Sequence, residues 1–282
     1  MNLKNSREVQ SNLVPLYLKD KRLGKVHSKF KSGLNIQFED ILIYISHTES
    51  ALSAYGINID KEKLQEIIEM VEIKDVVIFK EGKLIFYSTY KNITLNLENI
   101  ELIDLRIPGM QINKREIRNT ILYSILKEYD FKNNIGLKID DRINYYIDLL
   151  VKSDKENSKL NEEIIKFFAG RGKGLTPSGD DILIGFTTAI LSFNEENIFN
   201  DWIKDISLLI NKKVTTEISV AYIRALTEGY LSYNFIELIY SVNFKESNYV
   251  YEIIEKIKTF GHTSGNDTLF GFFLGLKFLS DN

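Results

Sequence analysis

Residues 174–186 read GLTPSGDDILIGF, and residues 261–272 read GHTSGNDTLFGF. With Pro177 set aside, the two strings align as Gly-x-Thr-Ser-Gly-(Asp/Asn)-Asp-x-Leu-x-Gly-Phe. In each copy a Ser-Gly-acid-Asp turn runs straight into an apolar, helix-like segment. ILIGFTTAILSF follows the first turn and TLFGFFLGLKFLS the second; each is apolar nearly all round, which predicts two buried helices. Two buried helices with one signature are expected to pack together, with Gly185 and Gly271 permitting close approach. Their two N-termini would then build one site.

The residue types at those helix starts allow two readings. In the structural one, Ser178 and Ser264 are N-caps, and Asp181 and Asp267, three positions on, complete capping boxes. In the functional one, Gly179 and Gly265 leave backbone N–H groups open to a ligand, and the positive helix ends suit phosphate or carboxylate. Thr176 and Thr263 flank the same turns, and Asn266 is a further donor. Upstream of the first copy lies Gly170-Arg171-Gly172-Lys173-Gly174. Arg171 can grip an anion bidentately and Lys173 adds a point charge. This loop is neither a Walker A nor a GxGxxG motif; its alternative is a mobile surface loop. Asp180, Asp181 and Asp267 would repel an anion, so they call for an amide N–H₂ on the ligand, or else for Mg²⁺. No metal is expected in the first case; in the second, those three carboxylates are the ligands. His262 is a candidate acid–base group beside Asp180 and Asp181, or simply a capped or buried neutral histidine. Thr215, Thr216 and Ser219 begin another helix, where their hydroxyls cap it or complete the pocket. On a predicted strand, His27 and Ser28 are adjacent, so only one of them is expected to face a site.

Outward from the motifs, the chain reads as α+β. Residues 1–110 look β-rich, with strands at 24–30, 34–38, 41–46, 75–80, 83–88, 93–97 and 100–107, a hairpin at Glu81-Gly82, and one helix at 61–72. This is a small barrel or sandwich. Pro108-Gly109 marks the change to a helical domain, 111–282. Its helices are expected at 113–128, 138–152, 160–169, 179–193, 198–212, 215–229, 232–242, 248–260 and 265–280, with Asn113 and Asn161 as N-caps.

Composition narrows the function. The 282 residues are 44% hydrophobic, enough for a sizeable core and against disorder. A formal charge of −3 argues against a nucleic-acid surface. There is no cysteine, so thiol nucleophiles and zinc-thiolate sites are excluded, and three histidines are too few for a histidine-rich metal cage. MNLKNSREVQ lacks the apolar core of a signal peptide, and no run of apolar residues suits a membrane span; a cytoplasmic protein is expected.

GLTPSGDDILIGF, GHTSGNDTLFGF, the upstream GKVHSKF with Asn35 following, and the TTEIS helix start resemble the AllH-like family over about residues 22 to 280. The resemblance implies a subunit of oxamate carbamoyltransferase in anaerobic allantoin (purine) breakdown. That activity joins oxamate and carbamoyl phosphate to give oxalurate and phosphate. It also implies other subunits in a hetero-oligomer, without saying which holds the chemistry. Carbamoyl phosphate has an anionic end for Arg171, Lys173 and helix N–H groups, and an N–H₂ for Asp180 or Asp181. Two other functions fit the residues. SGNDTLFGFFLGL is reminiscent of the Asp-rich helix starts of ADP-ribosylglycohydrolases, which are Mg²⁺-dependent hydrolases. A non-catalytic subunit could use the same helix ends to bind a metabolite or act as a scaffold.

Overall fold

The computed structural model describes residues 7–110, 112–193 and 200–281. It divides into two compact units: Met1–Arg106 with Tyr230–Tyr233, and Ile107–Gly229 with Asn234–Asn282.

The first unit is one curled half-barrel sheet. Its strands are β1 (Val9–Ser11), β2 (Leu23–Phe30), β3 (Gly33–Phe38), β4 (Ile41–His47), β5 (Gly56–Ile59), β6 (Val76–Lys80), β7 (Lys83–Tyr87), β8 (Asn92–Asn96) and β9 (Glu101–Ile103). Their spatial order is β8-β7-β6-β2-β3-β4-β5-β1-β9. Neighbours are antiparallel except the pairs β4–β5 and β1–β9. β8 and β9 form the two ends, so the sheet is open and single-layered, not the two layers of a sandwich. Glu81 and Gly82 both have positive φ, 49° and 67°, as a two-residue hairpin turn of the primed kind requires.

Leu34, Ile36, Phe38, Ile43 and Ile45 from β3 and β4 bury themselves with Val14 and Leu18 of α1 (Leu13–Leu18) and Leu64 and Ile67 of α2 (Lys61–Met70). Among its described residues the unit therefore has two helices, α1 and α2, where one was expected. α2 starts where Asp60 accepts hydrogen bonds from the Glu62 and Lys63 N–H groups at 2.9 and 3.2 Å. Asp60→Ala should lower the stability of this unit by about 1 kcal/mol, visible as a shifted urea midpoint with an unchanged slope. An unmoved midpoint would mean that solvent serves those N–H groups equally well.

The strand expected over 100–107 is paired only at Glu101–Ile103, after which Arg106 bridges to Tyr230. β2 carries a bulge: Val26 pairs Ile36 and Ser28 pairs Asn35, leaving His27 extra. His27 Nδ1 lies 3.1 Å from Ser28 Oγ, which also accepts from Asn35 Nδ2 at 3.0 Å. The bulge breaks the alternation that would have sent these two side chains to opposite faces.

The second unit is helical. It comprises α3 (Ile121–Glu128), α4 (Phe131–Asn134), α5 (Asp141–Lys152), α6 (Ser158–Phe168), α7 (Ser178–Phe193), α8 (Asn200–Leu209), α9 (Glu217–Thr227), α10 (Tyr233–Tyr240), α11 (Ser247–Lys258) and α12 (Ser264–Asp281). The helix expected over 198–212 is seen as α8; positions 198 and 199 lie outside the described residues. The one expected over 113–128 divides at Thr120 into a 3₁₀ turn, Lys114–Asn119, and α3, because Thr120 accepts from the Tyr123 N–H and starts a new helix. Asn113 caps that turn. Asn161 is not a cap: Asn157 begins α6, and Asn161 lies buried within it, donating to the Lys155 carbonyl and to Asp205.

α7 and α12 form the centre of this unit and pack directly on each other. A Cβ at Gly185 would lie 1.9 Å from the Thr268 carbonyl oxygen; one at Gly271 would lie 2.0 Å from that of Ile182. Farther along, Gly275 faces Phe186 and Ala189. The register rises together on both helices, so they run the same way from adjoining starts.

Lys155, between α5 and α6, is completely buried. Its Nζ donates to the Ser153 carbonyl (2.9 Å) and Oγ (2.7 Å) and sits 4.9–5.6 Å from the ring centres of Phe186, Trp202 and Phe278. Among the described residues no helix is long and apolar enough to cross a membrane.

Candidate active site at the paired helix starts

The duplication extends beyond the motif string. α6 leads into α7 as α11 leads into α12, and each motif glycine is wedged against the end of the preceding helix. A Cβ at Gly179 would lie 2.0 Å from the Phe168 carbonyl oxygen; one at Gly265 would lie 2.0 Å from that of Ile257. The Gly179 N–H donates to the Arg171 carbonyl at 2.8 Å and the Gly265 N–H to that of Phe260 at 3.1 Å. The Asp180 and Asp181 N–H groups turn to Pro177, and that of Asp267 to Thr263. These donors are engaged within the chain, contrary to the expectation that the glycines hold them open for an anion.

The capping boxes also differ from expectation. Ser178 and Ser264 are the first helical residues, with Pro177 and Thr263 supplying the carbonyls that open the helices. The motif hydroxyls cross over instead. The Ser264 hydroxyl lies beside Asp181 on α7, and the Ser178 hydroxyl beside Asp267 on α12, each lowering that carboxyl's proton affinity against the effect of burial. Thr176 Oγ1 lies 3.2 Å from Ser264 Oγ, donating to it. Thr263 Oγ1 is directed at Asp267. Thr176, Thr263 and Ser264 are partly exposed, with the carboxylates buried beneath them.

The three carboxylates fall into two groups. Asp180 is fully buried and turned away from α12: it accepts from the Gly170 N–H at 2.7 Å and from the Thr215 hydroxyl, tying α6 and the start of α9 to α7. Asp181 and Asp267, 3% and 0% exposed, face the seam between α7 and α12. Asp267 Oδ1 accepts from the Gly136 N–H at 2.8 Å. Among the described residues, the Oδ2 atoms of Asp181 and Asp267 have no hydrogen-bond partner. Burial pushes the proton affinity of all three upward. Asp181 is raised furthest, since its neighbours Asp267 and Asp180 add like charge to the burial.

Other residues singled out from sequence take different places. Arg171 lies flat on the Phe167 ring, 4.0 Å from its centre, and its Nε donates to the Phe167 carbonyl. Lys173 is exposed, as is His262. Asn266, the counterpart of Asp180, accepts from the Tyr129 hydroxyl at 2.8 Å. Thr216 caps α9 and donates to the Leu175 carbonyl. His27 and Ser28 belong to the sheet unit. Among the described residues no group of three or more His, Cys, Asp or Glu side chains is arranged to hold a metal. Because Asp180 is committed to Gly170 and Thr215, the set Asp180, Asp181 and Asp267 does not fit Mg²⁺. Gly136 and Tyr129 join the cluster without any motif that announces them. Lys155 carries no sequence signal either.

No solved structure matches this chain. The family model described as oxamate carbamoyltransferase subunit AllH matches residues 168–276, a narrower span than the resemblance in sequence suggested. That span runs from the end of α6 into α12 and holds both motif copies; over it, less than half of the chain, the sequence is similar to the AllH family.

Proposed function

We propose that this chain is one subunit of a cytoplasmic carbamoyltransferase that works with other subunits on oxamate and carbamoyl phosphate in purine breakdown. The observation that carries the reading is the coincidence of the family match, 168–276, with the paired helix starts and their buried carboxyls. Transfer forms a bond from the oxamate amide nitrogen to the carbamoyl carbon and breaks the carbon–oxygen bond to phosphate. The amide nitrogen must lose a proton, and phosphate leaves without needing one. An amide nitrogen is a weak nucleophile, so the site must supply a base and hold the two reactants together. Asp181 and Asp267, with proton affinity raised by burial, suit that task better than an ordinary surface carboxylate. The hydroxyls of Thr176, Thr263 and Ser264 are donors at the partly exposed mouth.

Calorimetric titration of the full chain with carbamoyl phosphate, with and without Mg²⁺, tests this. Binding is expected to be independent of Mg²⁺ and to weaken at least about tenfold in Asp181→Asn/Asp267→Asn, the loss of one hydrogen bond to a charged acceptor. Binding that required Mg²⁺, or that the double variant left untouched, would refute the assignment.

A further inference from the structure

The two unpartnered oxygens say what the seam between α7 and α12 lacks. Asp181 Oδ2 and Asp267 Oδ2 are buried acceptors without a donor, at equivalent positions of the two motif copies. An orphaned buried acceptor costs about 1–3 kcal/mol, so two in one seam are a large standing cost. Asp267 Oδ2 lies close to Gly136, where a Cβ would meet Ser178 Oγ at 2.2 Å, Thr263 Oγ1 at 2.7 Å and Asp267 Oδ2 at 3.3 Å; Asp181 is near enough to Asp267 to feel its charge. The nearest motif cations do not neutralise them, because Arg171 is stacked on Phe167 and Lys173 faces solvent. A phosphate or carboxylate would meet two carboxyls and be repelled. A donor with two N–H bonds on one small nitrogen would satisfy both oxygens at once.

We infer that Asp181 Oδ2 and Asp267 Oδ2 form an amino slot that takes both hydrogens of one primary amide or carbamoyl –NH₂, one on each helix. The inference rests on the proposed function for the identity of the ligand and deepens it: the slot recognises the nitrogen end, and the anionic end stays toward the threonine mouth. It also gives the duplication a purpose, since two like helix starts present two like acceptors to one planar group. Asp180 plays no part in it, being held by Gly170 and Thr215.

The test compares ligands in which a methyl group replaces the –NH₂. Carbamoyl phosphate is set against acetyl phosphate, and oxamate against pyruvate, by calorimetry on the full chain. The amino member of each pair should bind at least about tenfold tighter. In Asp181→Leu, and separately in Asp267→Asn, which can keep the contact to Gly136, that preference should shrink, with thermal unfolding showing that each variant is folded. Equal binding within both pairs would overturn the slot, and so would no binding of any of the four at millimolar concentration. Ammonium chloride is the control for a cation site: displacement of carbamoyl phosphate by ammonium, without an amino-over-methyl preference, would also overturn it. The outcomes separate the two ideas. An amino preference without carbamoyl transfer in the presence of partner subunits would sink the transferase and leave the slot. Transfer with no preference would do the reverse.

Discussion

Gly185→Ala should destabilise the helical unit by about 3 kcal/mol or more, the upper range for overpacking a tight interior, and Gly271→Ala should do the same. The added methyl at either position would lie 1.9–2.0 Å from a backbone carbonyl oxygen of the facing helix. No rotamer change relieves that, since the obstacle is main chain and the newcomer is a Cβ. The helices must separate, and separation opens the Ser178–Asp267 and Ser264–Asp181 crossings at their starts. Both variants should therefore lose ligand binding along with stability. Differential scanning calorimetry beside carbamoyl phosphate titration checks this. A melting temperature unchanged in both variants would mean that α7 and α12 do not pack as closely as described. Alanine is the best helix former, so any loss must come from packing and not from helix propensity.

Lys155→Met should stabilise the protein at neutral and acidic pH and lose that advantage in alkali. Burial pushes the Lys155 ammonium from 10.5 down to about 7, with the Asp154 charge opposing weakly. The sign follows from the two states. Below about pH 7 both folded and unfolded chains hold the proton, and the folded chain bears the full cost of a buried charge. Between about 7 and 10.5 the unfolded chain keeps a proton that the folded chain has released, so stability rises with pH across this window. At about 1.4 kcal/mol per pH unit the whole shift corresponds to about 5 kcal/mol. The Phe186, Trp202 and Phe278 ring faces favour the ammonium and offset about 0.5–2 kcal/mol. A net gain of about 3–4 kcal/mol is thus expected for Lys155→Met below neutrality. Trp202 is the chain's single tryptophan, and Lys155 Nζ lies 5.6 Å from its ring centre. Tryptophan emission should accordingly follow the lysine's titration in the wild type and stay flat in Lys155→Met. Equal stability differences in acid and alkali would show that the amine is not buried as described.

Much of this architecture is written locally. The duplicated string, the Glu81-Gly82 hairpin and the helix over 61–72 are short-range patterns, because a φ > 0 pair, an N-cap and an apolar stripe each act within a few residues. The segments that were not legible depend on partners far along the chain. β1 has three residues and no periodicity of its own; it becomes a strand because Val9–Ser11 meets Glu101–Ile103 on one side and Gln10 meets Ile57 on the other. β5 and the six-residue α1 are of the same kind. Lys155 stands in a polar stretch, SDKEN, that reads as a solvated loop. Its burial was settled by three aromatic residues from α7, α8 and α12.

The site divides along the same line. Residue order alone determines that two like helix starts exist, each with a hydroxyl and an acid in its first turn, since caps and apolar periods are properties of neighbouring residues. It does not separate Asp180 from Asp181, which are chemically identical neighbours. On a helix adjacent side chains point about 100° apart, so one acid reaches Gly170 and Thr215 while the other reaches the seam. Only the packing of α7 against α12 decided which of them meets Asp267, which oxygens are left without a donor, and how far burial raises their hold on a proton.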